Sequence, residues 1–243
     1  MRIALISDIH GNDVALEAAV ADIERVGADS VVCLGDVVQG GAQPSETLDR
    51  LRALGYETVL GNSDDFLLEL PESSPEPITE IQLEVRDWTL GRLSDEHLAQ
   101  IRSFPPTLEI ALDGHRGLCF HGSPRSYDDV LVPEWDGASL APFEGFAFDL
   151  LAGGHTHTQW TRTIDGSLFV NPGSVGLAYD RHQPDDDFML DAVAEYALVV
   201  TDGLGLGVEF RRVPYSLEDL RAAIAASGRP NAERFVAEWR DAR

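Results

Sequence analysis

A chain of 243 residues with 44% hydrophobic and 25% charged side chains can bury a sizeable core and reads as an ordinary globular protein. Its net charge is −24, all 18 basic residues are arginine and no basic patch stands out, which disfavours nucleic acid or anionic membrane held by a broad electrostatic footprint. No apolar stretch approaches transmembrane length, and MRIALISDIHGN meets an aspartate after one short apolar run, unlike a signal peptide, so a cytoplasmic location is expected.

RIALIS (2–7) reads as a fully apolar strand, and NDVALEAAVADIERV (12–26) as a helix opened by an asparagine cap. DSVVCLG (29–35) is a second strand, SETLDRLRAL (45–54) a helix and YETVLG (56–61) a third strand. This β-α-β-α-β order implies parallel strands with helices packed outside. From 64 to about 106 the character shifts to a helical excursion: a PESSPEP loop (71–77), then helices in ITEIQLEVRDWTLGRL and SDEHLAQIRSF, stopped by SFPP. The strand pair TLEIAL and GLCFHG follows, joined by a DGHR turn, and 123–145 is loop-rich. FDLLAGG (148–154), SLFVNPG (167–173), AEYALVVTDG (194–203) and GVEFRRVPY (207–215) are further strands. HQPDDDF (182–188) is a solvated loop, and helices close the chain at about 216–240. One domain over 1–243 is expected, with no internal repeat. Cys33 and Cys119 lie in apolar runs and read as buried free thiols.

The strand ends carry the chemistry. RIALIS runs into Asp8-Ile9-His10, SVVCLG into Asp36, TVLG into Asn62, GLCF into His121 and DLLAGG into His155-Thr156-His157. In open α/β sheets, sites assemble at the carboxyl ends of parallel strands. Asp8 and His10 are two apart, as are His155 and His157, and in extended backbone such pairs share one side. A lone histidine is more often structural than functional, but a pattern repeated at five strand ends points to a metal site. Asp, Asn and His without thiolate suit Mn²⁺, Fe, Zn²⁺, Co²⁺ or Ni²⁺ better than Mg²⁺, and seven ligands suit two ions.

These blocks resemble the calcineurin-like metallophosphoesterases, whose pattern is D-x-H, G-D, G-N-H-[DE], H-G and G-H-x-H in that order. Here they read Asp8-Ile9-His10, Gly35-Asp36, Gly61-Asn62-Ser63-Asp64, His121-Gly122 and Gly154-His155-Thr156-His157. The resemblance spans roughly 1–212, and SDIHGN, HGSPR and NPGSVG look like the family's small bacterial and archaeal phosphodiesterase-like branch. It implies an α/β fold, a four-layer α-β-β-α sandwich of two mixed sheets flanked by helices. The strand-helix reading is compatible with that and does not by itself yield the second sheet. It also implies that Asp8, His10, Asp36 and His157 hold one metal and Asp36, Asn62, His121 and His155 another, with Asp36 bridging. Mn²⁺ is the favoured ion. The implied activity is phosphate-ester hydrolysis by a metal-bridging hydroxide, with Asp36, Asn62, His121 and Asp64 at the catalytic centre and a small phosphodiester favoured over a phosphomonoester or phosphoprotein. A metal-binding interaction scaffold is the rival reading.

Ser63 departs from the pattern, because many members have histidine there to protonate the leaving oxygen, and a serine is a poor acid. Asp64 reads equally as a partner of a ligand or as a helix cap. Arg125, in HGSPR, reads equally as a phosphate ligand or a surface residue, and Arg181 is a weaker candidate. Asn171 orients the His155–His157 loop or belongs to a plain turn. His97, His115 and His182 lie outside the blocks and read as surface residues.

Overall fold

The computed structural model describes residues 1–70, 77–135 and 141–242. The chain opens with β1 (Arg2–Ile6), α1 (Asp13–Val26), β2 (Ser30–Cys33), α2 (Pro44–Leu54) and β3 (Glu57–Thr58). Asn12 caps α1, its side chain accepting from the Ala15 amide at 3.1 Å. Ala15, Leu16, Ala19, Val20 and Ile23 form the buried stripe of that helix. Proline opens α2, where a missing N–H costs nothing, and Gly55 ends it in the left-handed region.

Three short helices follow, α3 (Asn62–Leu68), α4 (Glu80–Leu90) and α5 (Asp95–Arg102). Then come β4 (Leu108–Leu112), β5 (His115–Cys119), β6 (Leu150–Ala152), β7 (Gln159–Ile164) and β8 (Ser167–Pro172). The chain finishes with β9 (Leu190–Thr201), β10 (Leu206–Pro214), α6 (Leu217–Ser227), α7 (Ala232–Ala237) and β11 (Trp239–Asp241). One sheet has the order β10-β9-β1-β2-β3, with β11 beside β9, and the other β4-β5-β6-β8-β7. Both are mixed: β1, β2 and β3 run parallel while β9 opposes β1, and β5, β6 and β8 run parallel while β4 and β7 oppose them.

Alternation along β1 explains the layers. Ile3 and Leu5 join Leu112, Cys119, Leu150 and Val170 of the other sheet in one buried cluster, and Ala4 and Ile6 join the α1 stripe in another. Every β1 side chain after Arg2 is therefore buried, which is why RIALIS lacks a polar face. Truncating Leu5, fully buried between the sheets, should cost about 2–5 kcal/mol. The second sheet's outer face is covered by an aromatic cluster that includes Phe120, Phe143, Trp160 and Phe169.

Several local expectations change. The β7 strand is not evident in the sequence, because Thr161, Arg162 and Thr163 are exposed on an edge strand and only Trp160 and Ile164 mark a buried face. YETVLG shortens to two paired residues, and Asn62 opens α3. The final helix stops at Ala237: Trp239 is buried and pairs with Leu190, extending the sheet. His97 is a buried residue, not a surface one; its backbone N–H is capped by Ser94 and its Nε2 lies 3.2 Å from Asp49. His115 is half-buried in β5 and His182 is exposed. Both cysteines are free and buried. Most of PESSPEP lies outside the described residues. No described helix is long and apolar enough to cross a membrane.

Candidate metal centre

The carboxyl ends of β1, β2, β5 and β6 open into loops that are stitched to one another. Asp8 N–H donates to Gly35 O at 3.0 Å, His10 N–H to Asp36 O at 2.9 Å, Gly154 N–H to His121 O at 2.8 Å and Gly176 N–H to Asp8 O at 3.0 Å. These bonds hold an uncommon backbone. Asp8, His10, Asp36, His155 and His157 have φ of 55°, 49°, 54°, 69° and 49°, the left-handed region. That conformation costs a non-glycine residue roughly 1–2 kcal/mol. The two i, i+2 pairs therefore do not lie on extended backbone. Each pair converges because both of its members are turned left-handed beyond a strand end. Backbone outliers confined by surrounding structure are a mark of functional sites.

Close backbone approach packs the loops further. A Cβ on Gly61 would lie 2.1 Å from Asp36 Oδ1, and one on Gly154 would lie 2.0 Å from Ser7 Oγ, so only glycine fits either place. Asp64 caps α3 and also ties that helix to the loop after β2. Its Oδ2 accepts from Gly61 N–H at 3.2 Å at the start of α3, and its Oδ1 accepts from Val37 N–H at 2.9 Å in the Asp36 loop. Asn171 donates to Gly154 O at 2.6 Å and to Thr156 Oγ1 at 3.1 Å, so it fixes the His155–His157 loop.

Seven side chains meet as a result. Asp8 Oδ1 lies 3.2 Å from His157 Nε2, 3.8 Å from His10 Nε2 and 3.9 Å from His121 Nε2. Asp36 reaches His121 Nε2 with Oδ1 at 3.4 Å and His10 Nε2 with Oδ2 at 3.7 Å. Asn62 Oδ1 is 2.9 Å from both His121 Nε2 and His155 Nδ1. Asp8, His10 and His157 form one metal-competent group, and Asp8, Asp36 and His121 a second.

Proton placement shows what the site accepts. The Nδ1 atoms of His10, His121 and His157 contact the carbonyls of Gln39 at 2.7 Å, Leu34 at 2.7 Å and Leu177 at 3.1 Å. A carbonyl only accepts, so each Nδ1 donates, and each neutral ring turns its Nε2 lone pair inward. Those lone pairs meet Asp8, Asp36, the Asn62 carbonyl and one another. Asp8 Oδ1 is buried with no hydrogen-bond partner. Such a cluster demands positive charge. Burial pushes His121 down, yet Asp36 and Asp8 lift it to about 10, and Asp8 outweighs burial to raise His157. Burial pushes Asp36 up, but the neighbouring His121 and His10 hold it well below the usual carboxylate range. Burial, and then the charge of Asp36, raises Asp64 to about 7. Protons supply the positive charge in the bare chain. Divalent cations fit the same oxygen and imidazole donors.

Residues 1–195 match the family model for the calcineurin-like phosphoesterase superfamily domain. The chain belongs to that superfamily. A metallophosphoesterase from Sphaerobacter thermophilus superposes with a TM-score of 0.74 at 29% identity, covering 98% of each chain. A hypothetical protein from Pyrococcus horikoshii shares the fold at 19% identity and a TM-score of 0.79, over 97% of each chain. An uncharacterized protein of Methanocaldococcus jannaschii is 27% identical over 223 residues, 89% of this chain and 88% of its own length.

Beside this calcineurin-like cluster opens a cavity of about 580 Å³, lined by His10, Asn62, Ser63, Phe66, Val85, Tyr127, Leu177 and Arg229 among others. Ser63 N–H donates to Asp36 Oδ1 at 2.8 Å, and its buried hydroxyl has no partner. Arg125 does not line this cavity: it donates to the Ala141 and Glu144 carbonyls and stacks over Phe146. Arg181 pairs with Glu134 beside a second cavity of about 450 Å³ that reaches His155. The orienting carbonyls of Leu34, Gln39 and Leu177, and the cavity residues Tyr127 and Arg229, escaped the sequence reading. Nothing in their local sequence marks them, since each joins the site through contacts distant in the chain.

Proposed function

We propose that this chain is a metal-dependent phosphoester hydrolase with a binuclear centre. One observation carries the reading: the Nε2 atoms of His10, His121 and His157, the Asn62 carbonyl and two buried carboxylates converge beside a cavity. Asp8, His10, His157 and Asp36 would hold one ion, and Asp36, Asn62, His121 and His155 the other. Mn²⁺ is the favoured ion, with Fe, Zn²⁺, Ni²⁺ and Co²⁺ as alternatives. Two bound cations would lower the pKa of water and neutralise phosphoryl oxygens during in-line attack.

The chain's own residues do the rest. The three backbone carbonyls fix the imidazole tautomers, Asp64 ties the Asp36 loop to α3, and Asn171 sets the His155–His157 turn. Ser63 cannot supply a strong acid to a leaving oxygen, which favours small phosphodiesters or esters with good leaving groups. The net charge argues against large nucleic acids.

Hydrolysis of bis(p-nitrophenyl) phosphate beside p-nitrophenyl phosphate tests this. Both are run in EDTA, then with Mn²⁺, Ni²⁺, Zn²⁺ or Mg²⁺ restored, with Asp36→Asn as control. Metal-restored cleavage that the control loses, faster on the diester, is the expected result. Two bound ions with no turnover of any ester would favour an interaction scaffold instead.

A further inference from the structure

The C-terminal segment, beyond the residues that match the family model, sends one arginine into the cavity beside the metal centre. Arg229 is the only arginine among the described residues that line the cavity. Its Nε donates to Gly40 O at 2.8 Å, its Nη1 to Pro230 O at 2.9 Å, and its guanidinium lies 4.0 Å from the centre of the Phe235 ring. Its Nη2 donates to no group among the described residues, and no carboxylate pairs with it. Arg50, Arg181, Arg211 and Arg240 each pair with a carboxylate, whereas Arg125, like Arg229, is held by backbone carbonyls and an aromatic ring.

Glu238 favours its charge from beyond ion-pair distance and is itself paired with Arg234, and a partly buried guanidinium so placed is costly unless an anion reaches it. Burial lowers Arg229 to about 10, so it stays charged at neutral pH. Asp65, Glu69 and Asp128 line the same cavity and would repel an anion elsewhere along it. Phe66, Ile81 and Val85 give the same cavity apolar surface.

We propose that Arg229 is a specificity residue that binds a second anionic group of the substrate, so that the preferred substrate is a small phosphate ester with a compact apolar body and a further phosphate or carboxylate. This rests on the hydrolase reading, because the reacting phosphate is taken to sit at the metal centre. The guanidinium fork matches either anion.

The competing role is positional. Arg229 holds Gly40 O, and the preceding Gln39 O orients His10 at 2.7 Å, so its loss could disturb the metal centre alone. Hydrolysis-resistant phosphonates separate the two. Phenylphosphonate, m-carboxyphenylphosphonate and m-phenylene bisphosphonate are titrated calorimetrically into the Mn²⁺-loaded protein, its Arg229→Gln variant and its Arg229→Lys variant, and Mn²⁺ affinity is measured for each. The expected result is a preference of ~10-fold or more for a doubly anionic probe in the wild type. That preference is lost in Arg229→Gln and partly kept in Arg229→Lys, with Mn²⁺ affinity unchanged. The carboxylate and bisphosphonate arms show which second anion is recognised. No preference in the wild type, or an equal weakening of all three probes together with Mn²⁺, overturns the proposal. Phosphonate binding needs no turnover, so a preference that survives in a protein hydrolysing no ester would sink the hydrolase reading and leave the anion subsite standing.

Discussion

His10 and His157 meet nitrogen to nitrogen, Nε2 to Nε2 at 3.1 Å, while the far nitrogen of each ring is held by a backbone carbonyl. Both far nitrogens donate, so the facing Nε2 atoms need a cation, a proton or a metal ion, beside them. Divalent metal should therefore stabilise the fold. At 100 times its dissociation constant a ligand adds about 2.7 kcal/mol. For a chain of this size that is a rise in Tm of roughly 5–10 °C. Calorimetric melting in EDTA and in saturating Mn²⁺ checks it. Identical Tm values would mean that the cluster takes no cation.

Asp64 is predicted to act through position, by holding Asp36. It accepts from two buried backbone amides, Val37 N–H and Gly61 N–H. Removing both acceptors with Asp64→Ala leaves two buried donors unpaired, at about 1–3 kcal/mol each. Asp64→Ala should lower stability by about 2–6 kcal/mol and reduce both metal affinity and turnover. Asp64→Asn, which keeps one acceptor oxygen, should fall between. Turnover lost at full stability and full metal affinity would instead show direct participation of the carboxyl group.

Ser63 carries a sharper prediction about chemistry. Its backbone N–H is spent on Asp36, while its hydroxyl faces no partner in the lining of the cavity. Installing an acid there should help where the leaving oxygen is basic. Ser63→His is expected to raise turnover of alkyl esters by ~10²-fold, the low end for general acid catalysis, and to change nitrophenyl esters little. A parallel series of alkyl and aryl diesters measures this. Equal effects on both would remove the link between Ser63 and leaving-group preference.

The donor set was legible because ligand chemistry is local: a strand, then a glycine-flanked Asp, Asn or His, recurs five times in order. The first three strands and α1 and α2 were legible for a similar reason, since their burial follows a fixed period in sequence. What the sequence hid is non-local. The β7 strand has a mostly exposed face, and Trp239 looks helical by spacing until its pairing with Leu190 is seen. The left-handed turn of five candidate ligands is imposed by hydrogen bonds between loops that are distant in the chain, such as Gly176 N–H to Asp8 O. Arg229 is invisible for the same reason, being 189 residues from the carbonyl that holds it.

Glu195 gives the fold a pH dependence of its own. It is buried under the Gly173–Ser174 turn, its backbone N–H donating to Ser174 O and its carboxylate 3.0 Å from Arg212 Nε. Burial raises its pKa from 4.5 to about 7, against the opposing pull of Arg212. Between those values the folded chain holds a proton that the unfolded chain has released. Folded protein then binds more protons than unfolded, so stability falls as pH rises through this window and levels off above it. The full effect is about 3 kcal/mol. Glu195→Gln removes the titration, so relative to wild type it should gain stability steadily from pH 4.5 to about 7 and hold a constant difference at higher pH. Urea melts of both proteins at half-unit pH steps, in EDTA, measure that difference. A gap that stays flat across the window would place the Glu195 carboxyl at its ordinary pKa and credit Arg212 with cancelling the burial.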